Sequence, residues 1–185
     1  MRIIAGRFRG HALKTPKGWR TRPTSDRLRE TLFNVLAHSY GDAVVGARVL
    51  DLFSGTGALG LEALSRGAGF VLFVEEGAEA RGVLRGNVEA LGVAGQSRIF
   101  RRDATRLGPA HPNPPFSLVF ADPPYGKGLA EKALVSARDG GWLLPDALIV
   151  TEEAADAEFT VPEGFEEIET RVYGEAKLVF LKTSV

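Results

Sequence analysis

The sequence predicts an α/β protein built on a mostly parallel seven-stranded sheet, and three observations support this. Apolar runs of strand length alternate with helical patterns up to about residue 150, as in chains that form strand–helix–strand units. The run Phe70-Val-Leu-Phe-Val74 is apolar throughout, which is typical of a strand buried on both faces. The last two strands, at 165–172 and 177–182, meet near Gly174 and predict an antiparallel hairpin at the edge of the sheet.

Helices are predicted where apolar residues recur at helical spacing. The first extends from about Ser25 to about Tyr40, with Thr24 or Ser25 as its N-cap and Gly41 at its end. A chain of 185 residues is long enough for one domain with a substantial core and too short for two. The remaining predicted helices are 58–66, 78–91 and 130–138, and the remaining strands are 47–50, 97–102, 116–121 and 147–151.

The composition is that of a soluble globular protein, with 44% apolar and 25% charged residues. The chain contains no cysteine, which excludes disulfides and cysteine-ligated metal sites. The beginning, Met1-Arg-Ile-Ile-Ala-Gly6, is not followed by the apolar core of a signal peptide, and no apolar run has the length of a membrane span. We therefore expect a cytoplasmic protein, and no cluster of side chains indicates a metal.

The net charge of zero conceals two segments of opposite charge. Residues 1–29 contain nine Lys or Arg and one acid, a net charge of +8, and the rest of the chain carries −8. Short extended pieces at the start predict a small β-hairpin, and we expect residues 1–22 to form a basic arm on a domain at 23–185. Such an arm indicates contact with a polyanion, although a solvated basic tail has the same composition. The side chains expected to contact phosphates are those of Arg2, Arg7, Arg9, Lys14 and Arg20.

A glycine-rich loop, Asp51-Leu-Phe-Ser-Gly-Thr-Gly-Ala-Leu-Gly60, lies between the first predicted strand of the sheet and the helix that follows. Glycine suits it because the backbone turns sharply and a ligand must come close, which a Cβ would block. The spacing Gly55-x-Gly57-x-x-Gly60 also matches the dinucleotide-binding fingerprint. The distinguishing residue is Asp51, since a carboxylate there repels a phosphate and attracts an ammonium or sulfonium group. The residues expected to line a cofactor site are Asp51, Phe53, Ser54, Gly55, Thr56 and Gly57.

Acids also follow the second and third strands of the predicted sheet. Glu75 lies twenty-four positions after Asp51, near the spacing of an acid that accepts from both hydroxyls of a ribose, and Glu76 is the neighbouring alternative. Asp103, followed by Ala104, is placed to accept from the amino group of an adenine or to act as a helix N-cap.

The tetrapeptide Asp122-Pro-Pro-Tyr125 ends the fourth strand, which lies beside the first in a doubly wound sheet and therefore faces the same crevice. An exocyclic amino group of a base is a poor nucleophile because its lone pair is delocalised into the ring. The Asp122 side chain and the Pro123 carbonyl can accept from its two N–H groups, Pro124 stiffens the loop, and Tyr125 can stack on the ring. These four residues are the predicted catalytic residues, acting by positioning and electrostatics on a base that has left its stack.

Both motifs resemble those of a known enzyme class. The sequence Asp51-x-Phe-x-Gly-x-Gly57 resembles the first motif of S-adenosylmethionine-dependent methyltransferases, and Asp122-Pro-Pro-Tyr125 resembles the fourth motif of those that methylate amino groups of nucleic acids. The beginning of the chain is similar to the RsmD family of bacterial 16S ribosomal RNA guanine-N2 methyltransferases. The segments that carry this likeness are Arg2-Ile-Ile-Ala-Gly6, Arg9-Gly10, Arg22-Pro-Thr-Ser-Asp-Arg27, Arg29-Glu30 and Leu32-Phe-Asn34.

The resemblance implies a Rossmann-like class I methyltransferase fold and methyl transfer from S-adenosylmethionine to the N2 amino group of one guanine of 16S rRNA, within an assembling small ribosomal subunit. It implies that Asp51, Gly55 and Gly57 line the cofactor site, that Glu75 binds the ribose and that Asp103 lies at the adenine. It also implies that Arg22 and Thr24 lie near the methionine end of the cofactor or at the entrance for the guanine.

Three other functions fit part of the sequence. A DNA adenine-N6 or cytosine-N4 methyltransferase uses the same tetrapeptide, but only about 35 residues follow the catalytic core, too few for a target-recognition domain. A non-catalytic RNA-binding assembly factor has no need of Asp122-Pro-Pro-Tyr125. A nicotinamide oxidoreductase matches the glycine spacing alone.

Overall fold

The computed structural model describes residues 1–17 and 25–184, whose strands form one seven-stranded sheet in the order β3-β2-β1-β4-β5-β7-β6. The first five strands are parallel, and β7 is antiparallel to both β5 and β6, which confirms the predicted fold class. None of the described helices is long and apolar enough to cross a membrane. The strands are β1 (Arg48–Leu52), β2 (Phe70–Val74), β3 (Ser97–Phe100), β4 (Phe116–Ala121), β5 (Leu143–Ala154), β6 (Phe165–Tyr173) and β7 (Ala176–Thr183), and the helices are α1 (Ser25–Ser39), α2 (Ala58–Ser65), α3 (Ala78–Leu91) and α4 (Leu129–Asp139).

Alternate side chains of the central strands pack into two apolar cores, one on each face of the sheet. Val49 of β1 belongs to the core that α1, α2 and α3 cover, and Leu50 belongs to the core that α4 covers. Both side chains are fully buried. This explains why the central strands are apolar throughout, since each of their residues faces a covered surface.

Five of the seven strands differ from the predicted boundaries, and β5 and β3 show the physical reasons. β5 is twelve residues long because β4 flanks it on one side and β7 on the other, and its pairing with β7 continues to Ala154. β3 ends at Phe100, two residues early, since its last pair with β2 is Val74 with Phe100 and the backbone then turns.

The glycines of the loop before α2 have a role that the sequence did not indicate. Gly57 has a φ of +86°, and a Cβ there would lie 2.4 Å from Cδ1 of Leu84. A Cβ on Gly60 would lie 2.4 Å from a ring carbon of Phe73 and 3.0 Å from Oδ2 of Asp51. Gly60 therefore allows α2 to pack closely on the sheet, and Gly57 allows the loop to pack against α3, in addition to any close approach by a ligand.

The first residues of the chain form an irregular hairpin that packs on α2. Arg2 and Ala12 form an antiparallel bridge, and the backbone of Ile3 exchanges hydrogen bonds with Gly10 and His11. Ile3 and Leu13 are buried in the core of the α1 face. The predicted hairpin is thus present, although it is too short for regular strands. Its apolar side chains, Ile3 and Leu13, are part of the main core.

The buried carboxylate of Glu62 on α2 joins this hairpin to the rest of the protein. Its oxygens accept hydrogen bonds from the backbone N–H of Ile4 at 2.8 Å and of Ala5 at 3.1 Å. They also accept from Nε of Arg66 at 2.8 Å and from Nε of Arg29 on α1 at 3.4 Å. The side chain of Glu62 is wholly buried, so two backbone donors and two guanidinium groups replace the water that it loses.

Gly6 lets the hairpin lie directly on the end of α2. Its φ is +85°, and a Cβ there would lie 2.0 Å from the carbonyl oxygen of Ser65. The hydroxyl of Ser65 donates to the carbonyl of Ala5 at 2.6 Å and accepts from the N–H of Phe8 at 3.0 Å. No side chain fits between the two backbones at this point.

Replacing Glu62 with Gln is expected to lower the free energy of unfolding by about 3–5 kcal/mol, because it removes the charge that two buried or half-buried guanidinium groups share. Denaturant unfolding measures this loss, and hydrogen exchange of the Ile4 and Ala5 amides shows whether the hairpin detaches first. Glu89→Gln on the exposed face of α3 is the matched control, with an expected change within about 0.5 kcal/mol. Equal stability of the two variants would contradict this role of Glu62.

Candidate active site

The glycine loop and the Asp122-Pro-Pro-Tyr125 segment meet at one edge of the sheet because β1 and β4 are parallel neighbours. Asp51 pairs with Phe120 and Leu52 pairs with Ala121, so both segments leave the sheet at the same level. A cavity of about 600 Å³ opens between them. Two segments some seventy residues apart in the sequence thereby line one site, as the sequence predicted.

Asp51 lies at the base of this cavity and is 1% exposed. Its Oδ2 accepts a hydrogen bond from the N–H of Gly60 at 3.1 Å, within the first turn of α2. Burial raises the pKa of the Asp51 carboxyl well above its usual range; the Gly60 hydrogen bond opposes this, and the nearby Asp122 and Glu75 carboxylates add to it. A cation bound beside Asp51 would lower this pKa and favour the ionised form.

Hydrogen bonds to β1, β2 and α3 fix the loop between Asp51 and α2. Phe53 has a φ of +56°, a conformation that costs free energy in a residue with a side chain, and it lines the cavity. The hydroxyl of Ser54 donates to the carbonyl of Asp51 at 2.6 Å, and the backbone N–H of Ser54 donates to Val74. The carbonyl of Thr56 accepts from Nδ2 of Asn87 at 3.0 Å. Ser54, Gly55 and Thr56 also line the cavity.

Glu75 rather than Glu76 is tied to the glycine loop. Oε1 of Glu75 accepts from the N–H of Gly55 at 2.8 Å, and Oε2 accepts from the N–H of Gly77 at 2.8 Å. Both Glu75 and Glu76 line the cavity, but Glu76 is exposed and its side chain makes no hydrogen bond to this loop among the described contacts. A carboxylate fixed at the rim by two amides remains able to accept from further donors, as a ribose requires.

Asp103 serves as an N-cap, which was one of its two predicted roles. Its Oδ1 accepts from the N–H of Thr105 at 2.8 Å and from the hydroxyl of the same residue at 2.7 Å, at the start of the short 3-10 turn Ala104–Arg106. These hydrogen bonds lower the pKa of Asp103. Asp103 and Ala104 also line the cavity, so the cap and a contact to a ligand are compatible.

The Asp122-Pro-Pro-Tyr125 loop is held by two consecutive acids at the end of β5. The hydroxyl of Tyr125 donates to Oε2 of Glu152, and the N–H of Gly126 donates to Oε1 of Glu153 at 2.8 Å. Asp122, Pro124 and Glu152 line the cavity, whereas Pro123 is buried beneath. The predicted segment is therefore at the site, in a conformation that β5 fixes.

Several lining residues were not identified from the sequence as belonging to a site. Leu28 and Leu32 recur at helical spacing on α1, which indicates a buried face, and the same face closes one side of the cavity. In the sequence, Glu152 directly follows a predicted apolar strand, as Glu75 does. This position was the signal that could have identified Glu152 as a site residue. The cavity thus has a polar half at the glycine loop and a more apolar half at α1. The additional lining residues include Met1, Leu28, Arg29, Leu32, Val150, Glu152 and Leu178.

The basic side chains of the hairpin face solvent. Arg2, Arg7, Arg9 and Lys14 are all exposed. Arg7 donates to Oε1 of Gln96 at 2.5 Å and stacks over the ring of Phe8, with its Cζ 4.5 Å from the ring centre. The predicted contacts of Arg20, Arg22 and Thr24 lie outside the described residues.

Carboxylates dominate the polar groups of the cavity. Asp51, Glu75 and Asp122 lie close enough to influence one another, and a ligand with positive charge would relieve their repulsion. Within residues 1–17 and 25–184, no three His, Asp or Glu side chains converge in the manner of a metal site. The residues present therefore fit a cationic organic ligand beside a base with donor groups.

Comparison with known proteins gives a matching family model and several named relatives. The family model described as Conserved hypothetical protein 95 matches residues 1–182. The ribosomal RNA small subunit methyltransferase D of Escherichia coli K12 is 40% identical over 176 residues, which cover 95% of this chain and 86% of that protein. The protein of the same name from Haemophilus influenzae is 35% identical over 176 residues, covering 94% and 89%.

A solved structure extends the likeness to three dimensions. A protein of Escherichia coli described as a methyltransferase superposes with a TM-score of 0.83 at 37% identity, covering 99% of this chain and 97% of that one. The range that the family model matches contains both motifs that line the cavity and the hairpin that packs on α2. The chain belongs to the RsmD family of methyltransferases.

Proposed function

We propose that this protein transfers a methyl group from S-adenosylmethionine to the exocyclic N2 of one guanine in 16S ribosomal RNA, within an assembling small subunit. The observation that carries the proposal is the pairing of Asp51 with Phe120 and of Leu52 with Ala121, which brings Asp51 and Asp122 to one cavity. The names of the relatives from Escherichia coli and Haemophilus influenzae support ribosomal RNA of the small subunit as the substrate.

S-adenosylmethionine, when bound, supplies a methyl group on a positively charged sulfur. The polar half of the cavity suits this cofactor, since Asp51 at its base favours positive charge and Glu75 can accept from the ribose hydroxyls. Asp103 lies where it can accept from an adenine amino group while it caps its own turn. Phe53, Ser54, Gly55, Thr56, Gly57 and Ala104 complete the proposed cofactor site.

The proposed chemistry depends on positioning. The Asp122 side chain and the Pro123 carbonyl accept from the two N2–H groups and direct the nitrogen lone pair at the methyl carbon. As the N–C bond forms, the C–S bond breaks and its electron pair stays on sulfur; the nitrogen then loses one proton to Asp122 or to water. Pro124 and Tyr125 hold the plane of the base, which must leave its stack to enter.

The basic hairpin supports the choice of a nucleic acid. Its exposed cations, Arg2, Arg7, Arg9 and Lys14, lie on residues that pack against α2, the helix that begins at the glycine loop. We infer that residues 1–22 bind RNA, that 23–185 form the catalytic domain and that Arg20, Arg22 and Thr24 take part. The hairpin would hold the RNA beside the cavity, and its contacts to phosphate would add affinity without selecting a sequence.

The direct test is transfer of labelled methyl to small-subunit particles that lack guanine-N2 methylation, followed by nucleoside analysis. Label in N2-methylguanosine is expected. Label in N6-methyladenosine would contradict the proposed target, and the absence of label from particles, naked rRNA and DNA would contradict catalysis.

Asp122→Ala is expected to lower the rate of methyl transfer about 100-fold or more, because the amino group loses one of its two acceptors. Binding of the cofactor by calorimetry and of RNA by filter retention should be nearly unchanged. Glu158→Ala, at an exposed position after β5, is the matched control. A rate close to wild type for Asp122→Ala would show that this carboxylate is not the acceptor.

Cofactor affinity is expected to rise with pH through the raised pKa of Asp51, because the cation binds the ionised form and binding then releases a proton. Calorimetry from about pH 5 to about pH 8, in buffers of different ionisation enthalpy, measures both effects.

Asp51→Asn should weaken cofactor binding about 10- to 100-fold at neutral pH and flatten the pH dependence of this affinity. Without cofactor, the same variant should be more stable, since the folded protein no longer ionises a buried carboxyl as pH rises. If cofactor affinity depends on pH in Asp51→Asn as it does in the wild type, the pH dependence arises from other groups.

Reversing two charges of the hairpin, in Arg7→Glu with Arg9→Glu, should weaken RNA binding and reduce the salt dependence of the binding constant by about one unit of slope or more per cation. Lys182→Glu is the control with one reversal, since this residue lies on β7 beside Glu166, away from the hairpin. Identical affinity and slope in the double variant and the wild type would make the hairpin a solvated surface.

A further inference from the structure

We propose that Glu152 determines specificity for guanine by accepting a hydrogen bond from the N1–H of the target base. This inference rests on the proposed function and names the residue that would distinguish guanine from the other bases with an amino group. No motif in the sequence points to Glu152, because the tetrapeptide at 122–125 serves amino groups of guanine, adenine and cytosine alike.

The sheet places Glu152 directly beside Asp122. Ala121 of β4 pairs with Thr151 of β5, and the hydroxyl of Thr151 donates to the carbonyl of Ala121 at 2.8 Å. The next residue on each strand is Asp122 on one and Glu152 on the other. Neighbouring strands lie about 4.8 Å apart, so the two carboxylates extend from adjacent backbones, and both line the cavity.

Two carboxylates on adjacent strands offer acceptors for two adjacent N–H groups, such as those at the edge of guanine. N2 and N1 are bonded to the same ring carbon, and both carry hydrogen in guanine. Adenine and cytosine instead present an unprotonated ring nitrogen beside the amino group. An ionised carboxylate only accepts hydrogen bonds, so Glu152 would attract the N1–H of guanine and repel the lone pair of the other bases.

The hydrogen bond from Tyr125 gives Glu152 a defined position. The tyrosine hydroxyl donates to Oε2, and the neighbouring Glu153 holds the N–H of Gly126, so the ends of β5 and of the loop move as one unit. A carboxylate has about four acceptor positions, so the hydrogen bond from Tyr125 does not by itself exclude a further one from a base. The plane of the stacking residue and the acceptor for N1 are thereby fixed relative to each other.

The test uses 2-aminopurine, which keeps the amino group of guanine but has an unprotonated N1. After the methylated guanine has been mapped, small-subunit particles are assembled from ligated rRNA with guanine or 2-aminopurine at that position. The wild-type enzyme is expected to show a kcat/KM about 10- to 100-fold lower for 2-aminopurine. Equal values for the two bases would overturn the proposal.

Glu152→Gln should shift this preference, because the amide N–H can donate to an unprotonated N1 and a bound N1–H loses its charged acceptor. We expect the ratio of kcat/KM for guanine to that for 2-aminopurine to fall about 10-fold or more. Tyr125→Phe keeps the ring and removes the hydrogen bond that positions Glu152, so it should lower the ratio, but by less than Glu152→Gln does. Glu166→Gln, on the exposed face of β6, should change neither value.

An unchanged ratio in Glu152→Gln would show that Glu152 acts on the loop alone and would overturn the proposal. If the variant methylates neither base, the fluorescence of 2-aminopurine measures its affinity for the substituted particle, which is expected to exceed that of the wild type; an equal or weaker affinity also overturns the proposal. Failure of the proposed function is distinguishable, because the wild type would then produce no N2-methylguanosine on the guanine particle.

Discussion

The parallel pairing of β1 with β4 is the constraint on which the site depends. Both strands are buried on both faces. Polar side chains that line a site can therefore lie only where these strands end. Asp51 lies one residue before the end of β1 and Asp122 directly follows β4, and the register that pairs Leu52 with Ala121 brings both to the same edge of the sheet. A shift of this register by one residue would turn the buried side chains of β1, including that of Asp51, toward the opposite core, so packing and function select the same alignment.

The hairpin at the start of the chain is part of this folded unit in spite of its charge. Its apolar residues, Ile3 and Leu13, are in the core, and its cations face solvent. A wholly buried carboxylate such as Glu62 is costly unless each oxygen is satisfied, and here backbone amides of the hairpin supply half of the donors. Because Glu62 lies on α2, the helix that begins at the glycine loop, a surface proposed to bind RNA is rigidly connected to the proposed cofactor site.

The carboxylates that line the cavity repel one another. Asp51 has a raised pKa through burial and through its neighbours Asp122 and Glu75, and Phe53 keeps a backbone conformation that costs free energy. Such features persist because the surrounding sheet and helices determine them. They are consistent with a site organised for a positively charged group, whose binding would offset the repulsion that folding leaves in place.

Local patterns in the sequence were sufficient for the elements and for the two motifs. Strands buried on both faces, such as Phe70–Val74 and Phe116–Ala121, are short apolar runs bounded by polar or glycine residues, and their bounds were predicted correctly. The resemblance of the N-terminal segments and of Asp122-Pro-Pro-Tyr125 to known motifs also indicated the family that the comparisons confirmed. Other features depend on contacts between residues far apart in the chain. The sequence could not distinguish Glu75 from Glu76, or show that Glu62 binds the hairpin and that Glu152 meets Tyr125 across neighbouring segments. A carboxylate at the end of a strand or on a helix looks the same in any sequence window, and only the packing of α2, β4 and β5 decides which donors it meets.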